Sequence, residues 1–152
     1  MSAEQRIAEM GIVLPEVAKP RWAYSPAVRA GNLVFVSGQI ATEAGRILYP
    51  GKLGREITVE EGAEAARRCA ISALAVVRQA CGSLDAVRRV VKLTVFVASA
   101  EGFGEQPTVG NGASELLRDV FGETGLGARS AVGVAELPLG ASVEVEFIFE
   151  VD

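Results

Sequence analysis

A run of strict alternation near the end of the chain constrains the fold more than any other feature of the sequence. Between Ser142 and Val151, every odd-numbered residue is valine or phenylalanine, and three of the even-numbered residues are glutamate. Successive side chains of a β-strand point to opposite faces, so one face of this strand is apolar and the other is charged. The run predicts a sheet with one face covered by other elements.

Three further segments supply other elements of the fold. Val90–Ala98 is apolar at nearly every position, which is typical of a central strand. Thr58-Val59-Glu60-Glu61 forms a capping box before a long alanine-rich helix that stops at Gly82. A second amphipathic helix is predicted over Pro107–Phe121, ending at Gly122. The alanine stripe indicates close helix packing.

The remaining elements complete an order of β-β-β-α-β-α-β-β, preceded by a short helix. Three strands are predicted before the long helix: an edge strand containing Trp22 and Tyr24, the apolar run Leu33–Val36, and Arg46–Tyr49. Residues 1–20 form a helix over Ser2–Met10 and a proline-containing connector. The 152 residues therefore predict a single α+β domain with helices on one face of a mixed sheet.

Arg129 and Glu144 are the polar residues of most interest in the last two strands. We expect residues 129–134 and 142–151 to form a hairpin, in which Arg129 lies opposite Ile148. Glu144 then lies on the same sheet face about 13 Å along the strand, so a long ligand or a second chain would have to join the two groups. Arg129 is suited either to a ligand carboxylate or to an intrachain glutamate, and Glu144 to a site or to a solvated face.

The chain contains no histidine, and this absence restricts the chemistry available to it. Serine–histidine and cysteine–histidine couples and histidine-containing zinc sites are excluded. Its two cysteines, Cys69 and Cys81, are too far apart in one predicted helix to form a disulfide, and we expect free thiols. Proton transfer near neutral pH is left to carboxylates, tyrosine, lysine, thiols or water.

Charge and hydropathy make several partners improbable. The net charge is −4 and the basic residues are scattered, so nucleic-acid binding is not expected. No secretory signal or membrane-spanning run is visible, and the free thiols fit a cytoplasmic protein.

The glycine-rich segment at residues 122–127 precedes a strand, unlike a dinucleotide-binding fingerprint. Asn111, at the entrance of the second long helix, is placed either to face a ligand or simply to meet solvent.

Three ordered motifs resemble the reactive intermediate deaminase family (RidA, formerly YjgF, also called L-PSP endoribonuclease). They are residues 31–40 (GNLVFVSGQI), residues 91–97 (VKLTVFV), and Arg129-Ser130-Ala131-Val132 continuing to Leu137-Pro138. The N-terminal extension resembles a less characterised branch of the family. The resemblance implies a chorismate-mutase-like α+β fold, a homotrimer with clefts between subunits, and no metal or organic cofactor.

The resemblance also implies roles for individual residues. Arg129 matches the arginine that clamps a substrate carboxylate, and Glu144 matches the glutamate that holds or activates water. Five further residues match the lining of the cleft: Tyr24, Ser37, Gly38, Asn111 and Ala131. Ala131 stands where the family often has cysteine, so only its backbone amide is available to bind the ligand carboxylate.

These observations leave three functions open. The first is hydrolytic deamination of enamine and imine intermediates, such as 2-aminoacrylate, to 2-oxo acids and ammonia. The second, favoured by Ala131, is a trimer that binds or senses a small carboxylate without turnover. The third is an endoribonuclease, which the charge and the absence of histidine disfavour.

Overall fold

A five-stranded mixed sheet forms the centre of the molecule, which is described here for residues 1–152 by a computed structural model. In spatial order the sheet is β1-β2-β7-β5-β6, and β3 and β4 form a separate two-stranded hairpin. The strands are β1 (Ala27–Ala30), β2 (Leu33–Ile40), β3 (Thr42–Glu43), β4 (Arg46–Ile47), β5 (Val87–Ala98), β6 (Ala128–Val134) and β7 (Val143–Val151).

Strand β7 is central, with β2 and β5 antiparallel on its two sides. Because both of its edges are occupied, β6 cannot pair with it, and β6 instead lies parallel to β5 at the edge of the sheet. The expected hairpin of residues 129–134 with 142–151 is therefore wrong. Arg129 is aligned with Leu93 of β5 and not with Ile148 of β7.

The expected edge strand at Trp22 and Tyr24 is also wrong. The amide of Tyr24 donates to the carbonyl of Trp22 at 2.9 Å, a tight bend that is incompatible with extended backbone. Strand β1 begins only at Ala27, after Pro26. Trp22 and Tyr24 remain exposed in the segment before it.

The helices are α1 (Ala3–Glu9), α2 (Val59–Cys81) and α3 (Gln106–Phe121). The capping box predicted at Thr58 is present, with the Glu61 amide donating to the Thr58 hydroxyl, and the helix ends at Gly82 with φ of 89°. A Cβ at Gly112 of α3 would overlap the carbonyl of Ala63 in α2. The two long helices therefore cross at backbone contact, as the alanine stripe predicted.

The helices cover one face of the sheet and leave the other open. The odd-numbered residues of β7 are buried in the core beneath α2, and α3 covers β5 and β6. The opposite face, which we call the open face, carries large apolar side chains that meet solvent. Val28, Phe35 and Val132 are 57%, 42% and 42% exposed, and Val28 pairs directly with Phe35.

Helix α1 joins the N-terminus to the rest of the fold. Its Ser2 and Gln5 form the predicted capping box. The Glu4 carboxylate accepts the amide of Leu84 at 2.9 Å and lies 3.5 Å from Arg78 of α2. All three helices are too short or too polar to cross a bilayer.

Candidate functional site

Arg129 is held beneath the first half of α3 by neutral oxygen atoms. Its Nη1 donates to Asn111 Oδ1 at 3.0 Å and to Ser114 Oγ at 3.2 Å, and its Nη2 donates to the carbonyl of Pro107 at 3.1 Å. None of the seven ion pairs in the structure includes Arg129. The guanidinium is therefore fixed in position, but its charge is not neutralised within the chain.

The spacing of residues on α3 explains this arrangement. Pro107, Asn111 and Ser114 are four and three positions apart, so they line one face of the helix. Gly110, on the same side, has no side chain, and a Cβ there would lie 3.1 Å from Nη1 of Arg129. The glycine at this position lets the guanidinium approach the helix backbone.

Ser114, Gly110 and the Pro107 carbonyl were not identified from the sequence, although one signal was available. Ser114 lies three residues after Asn111, which puts both on one helix face. Asn111 was expected at the helix entrance, and the helix face that it shares with Ser114 is the one that contacts Arg129. In the structure Arg129 donates a hydrogen bond to Asn111, although the two residues are 18 positions apart in the chain.

Ala131 lies two residues beyond Arg129 on the same side of β6. It is aligned with Val95 of β5 and packs partly against the core. Both cysteines lie elsewhere: Cys69 is fully buried in α2, and Cys81 is at the end of that helix. Burial raises the pKa of the Cys69 thiol far above its usual range.

Glu144 lies on the open face, in a row with Ile40 of β2 and Phe96 of β5. Its carboxyl group covers the backbone of Gly38, where a Cβ would lie 2.9 Å from Cδ of Glu144. Burial, with a smaller contribution from the charge of Glu146, raises the pKa of Glu144 above its ordinary value. A carboxylate with a raised pKa is a stronger base than an ordinary one and is suited to accepting and returning a proton.

Ser37 and Gly38 lie in a β-bulge that positions them beside Glu144. Between Val36 and Gln39, strand β2 contains one residue more than β7 does, which interrupts the pairing. The Ser37 hydroxyl donates to the carbonyl of Ser25 at 2.6 Å, and its amide donates to Pro26 at 2.9 Å. These bonds attach the segment that carries Tyr24 to the bulge. Tyr24 itself is 52% exposed.

The predicted site residues therefore form two groups on opposite faces of the sheet. Asn111, Arg129 and Ala131 form the arginine group, on the side covered by α3. Ser37, Gly38 and Glu144 form the glutamate group on the open face, with Tyr24 on the adjoining segment. The expectation that Arg129 and Glu144 share a face is wrong, because it depended on the β6–β7 hairpin.

The two groups are also well separated along the sheet. Arg129 is aligned with Leu93, and Glu144 is aligned with Phe96, three residues further along β5. With two strand spacings between them, their backbones are roughly 14 Å apart. Arg129 and Glu144 of one chain are thus too distant to hold the same small molecule. No group of three or more His, Cys, Asp or Glu side chains is arranged to hold a metal ion.

Comparison with known proteins gives consistent matches over nearly the whole chain. Residues 4–151 match the family described as "YjgF/chorismate mutase-like, putative endoribonuclease". A Trypanosoma cruzi protein named TCP17 is 46% identical over 147 residues, which are 96% of this chain and 92% of TCP17. A Dermatophagoides farinae protein named 2-iminobutanoate/2-iminopropanoate deaminase is 31% identical over 141 residues, which are 93% of this chain and 95% of that protein.

A solved structure agrees with the fold in detail. The crystal structure of Atu1372 from Agrobacterium tumefaciens, a protein of unknown function, superposes with a TM-score of 0.92 at 46% identity. The match covers 99% of this chain and 92% of that one. The similarity therefore extends over the N-terminal helix and connector as well as the sheet and long helices.

Proposed function

The chain belongs to the YjgF/RidA family, and from that premise we propose that it deaminates reactive enamine and imine intermediates by hydrolysis, giving 2-oxo acids and ammonia. The observation that carries the proposal is the state of Arg129. Its guanidinium is held by three neutral oxygen acceptors and has no carboxylate partner. A positive charge fixed in this way is suited to a carboxylate from outside the chain.

The remaining donors of Arg129 match a carboxylate. A guanidinium has five N–H groups, and three of those of Arg129 are used by Asn111, Ser114 and Pro107. The Nε–H and one Nη2–H are left, on adjacent nitrogen atoms. Two parallel hydrogen bonds from these atoms would orient the carboxylate of a 2-imino acid, with its C=N carbon directed away from β6.

Glu144 would supply the proton transfers. An enamine such as 2-aminoacrylate is in equilibrium with its imine, and water adds to the imine carbon to give a carbinolamine. Glu144 would accept a proton from that water and deliver it to the nitrogen, and would then move the proton of the carbinolamine hydroxyl to the same nitrogen, so that the C=O bond forms, the C–N bond breaks and ammonia leaves. The raised pKa of Glu144 supports this role. Such a labile substrate does not require histidine.

We further propose that the protein acts as a homotrimer whose clefts join the arginine group of one subunit to the glutamate group of the next. Two features support this assembly. Arg129 and Glu144 of one chain lie on opposite faces, and the open face exposes Val28, Phe35 and Val132. Exposed apolar patches of this kind mark interaction surfaces.

The direct test generates 2-aminoacrylate in a coupled assay and measures its conversion to pyruvate. We expect the protein to accelerate the conversion and Arg129→Ala to abolish the acceleration. Arg118→Ala is the matched control, because Arg118 is an exposed arginine near Asp119 at the other end of α3. No acceleration by the unmodified protein would contradict the proposal.

The second candidate is a trimer that binds a small carboxylate without turnover, and Ala131 is the observation that favours it. Position 131 lies beside Arg129 and carries no reactive group. Calorimetry with pyruvate and 2-oxobutanoate separates the two functions when it is paired with the coupled assay. Binding that Arg129→Ala removes, without any turnover, would support this second function.

A further inference from the structure

A cavity of about 250 Å³ lies between two loops at the end of the sheet, outside both groups of site residues. Lys52 and Arg55 are its cationic lining residues, and Glu136 is its acidic one. The other lining residues are small or apolar: Pro50, Gly51, Ala98, Gly140 and Ala141. Ala98 is five residues beyond Leu93, the partner of Arg129, so the cavity is roughly 16 Å from Arg129 along β5.

The walls of the cavity are held in place by backbone hydrogen bonds. Gly51 donates to the carbonyl of Gly140 at 3.0 Å, and Leu53 donates to that of Ala98 at 2.8 Å. Tyr49 and Leu139, which flank the cavity, have φ of 54° and 60°, conformations that non-glycine residues rarely adopt. Backbone strain of this kind is concentrated at ligand-binding and catalytic sites.

Lys52 is a largely buried cation whose partner is largely exposed. The side chain of Lys52 is 20% exposed, whereas that of Glu136, 3.2 Å away, is 78% exposed. An ion pair with one member in solvent contributes little to stability. The Lys52 ammonium group is therefore part of the cavity wall, and another anion can readily replace the Glu136 carboxylate beside it.

Arg55 is the second cationic residue that lines the cavity. Its Nε and Nη2 donate to Glu56 at 2.6 and 2.8 Å, and its Nη1 has no hydrogen-bond partner. The hydrogen bonds and charge of Glu56, with a smaller contribution from the charge of Glu136, raise the pKa of Arg55. Glu136 thus lies within the field of both cations, a position that attracts an anion, and Glu56 offsets part of the Arg55 charge.

We propose that this cavity is a binding site for a small oxyanion, a carboxylate or a phosphate, held between Lys52 and Arg55. The ligand displaces the Glu136 side chain, which acts as a tethered competitor for the same position. The volume fits a compact ligand, since drug-sized ligands occupy pockets of roughly 300–1,000 Å³. The site is separate from the Arg129 carboxylate site and does not depend on the proposed deaminase activity.

The test titrates succinate and, separately, inorganic phosphate into the Arg129→Ala protein, which lacks the other carboxylate site. Binding is followed by calorimetry at low ionic strength and by the amide resonances of Gly51 and Gly140. We expect at least one of the two anions to bind, and the anion that binds more tightly identifies the ligand class. Lys52→Met should weaken binding at least tenfold. Lys19→Met removes the same charge from the exposed connector and should leave binding unchanged.

Glu136→Gln gives the sharper result, because it removes the competitor and should tighten binding about fivefold. If Lys52 and Glu136 only clamp the two loops, Lys52→Met and Glu136→Gln will instead lower thermal stability together. Neither anion will then bind, even to the Glu136→Gln protein. That outcome would overturn the proposal, and so would binding that survives Lys52→Met.

Discussion

Arg129 and Glu144 lie on opposite faces of the same sheet. Arg129 is aligned with Leu93 under α3, and Glu144 is aligned with Phe96 on the open face. The residues best suited to hold a carboxylate and to move a proton therefore meet only if two chains contribute to one site. The proposed trimer supplies that arrangement and makes it testable.

Mixing two inactive variants should restore activity. Arg129→Ala retains Glu144, and Glu144→Gln retains Arg129, so unfolding and reassembling an equal mixture should rebuild some intact clefts. In a randomly assembled cyclic trimer, about one quarter of the clefts contain both wild-type residues. We expect the coupled assay to show about that fraction of the unmodified activity. A mixture as inactive as its components would show that the two residues act within one chain or not at all.

Glu144→Gln should abolish deamination yet stabilise the fold near neutral pH. Because the pKa of Glu144 is raised in the folded state, its ionisation opposes folding. The stability of the unmodified protein therefore falls as pH rises from the ordinary value of 4.5 through the raised pKa. Urea unfolding should show the variant to be more stable at about pH 7 and equal to the unmodified protein below pH 4.5. Glu123→Gln, at an exposed position, is the control.

Gly110→Ala should damage substrate binding without damaging the fold. The added methyl group would lie 3.1 Å from Nη1 of Arg129 and push the guanidinium away from α3. Alanine is favoured over glycine in a helix by about 1 kcal/mol, which offsets the crowding. We expect KM for the imine to rise about tenfold, roughly the loss of one charge-assisted hydrogen bond, with the melting temperature unchanged. Gly104→Ala, in open space, should change neither quantity.

Phe35→Glu should dissociate the trimer while leaving the subunit folded. Phe35 lies on the open face, 42% exposed in the single chain and paired with Val28. A carboxylate buried at a subunit interface without a partner is costly, whereas on a monomer it is solvated. Sedimentation should show a monomer with an unchanged circular dichroism spectrum. Val13→Glu, in the exposed connector, should remain trimeric, and a trimer that tolerates Phe35→Glu would show that the open face is not the interface.

Much of the fold was predictable because its signals are local. The capping boxes at Ser2 and Thr58 and the stop at Gly82 depend only on a few consecutive residues. The alternation in β7 identified its buried face correctly. The alternation indicates which face of a strand is buried, and this does not depend on which strands lie beside it.

The pairing of the strands was not predictable in the same way. The alternation of side chains does not indicate whether β6 lies beside β7 or beside β5. The short connection between residues 134 and 143 favoured a hairpin, but that hairpin does not form. The error moved Arg129 to the wrong face. The Lys52 cavity was missed for a related reason: Lys52 and Glu136 are 84 positions apart, and only the tertiary structure brings their loops together.

The division of Arg129 and Glu144 between two faces has a consequence for how the protein behaves at low abundance. In the proposed trimer each cleft is shared between two subunits, so a monomer would have no activity and turnover per chain would depend on total protein concentration. Diluting the protein below the dissociation constant of the trimer would switch deamination off while every subunit stayed folded. Expression level would then set not only the number of active sites but whether any site is complete.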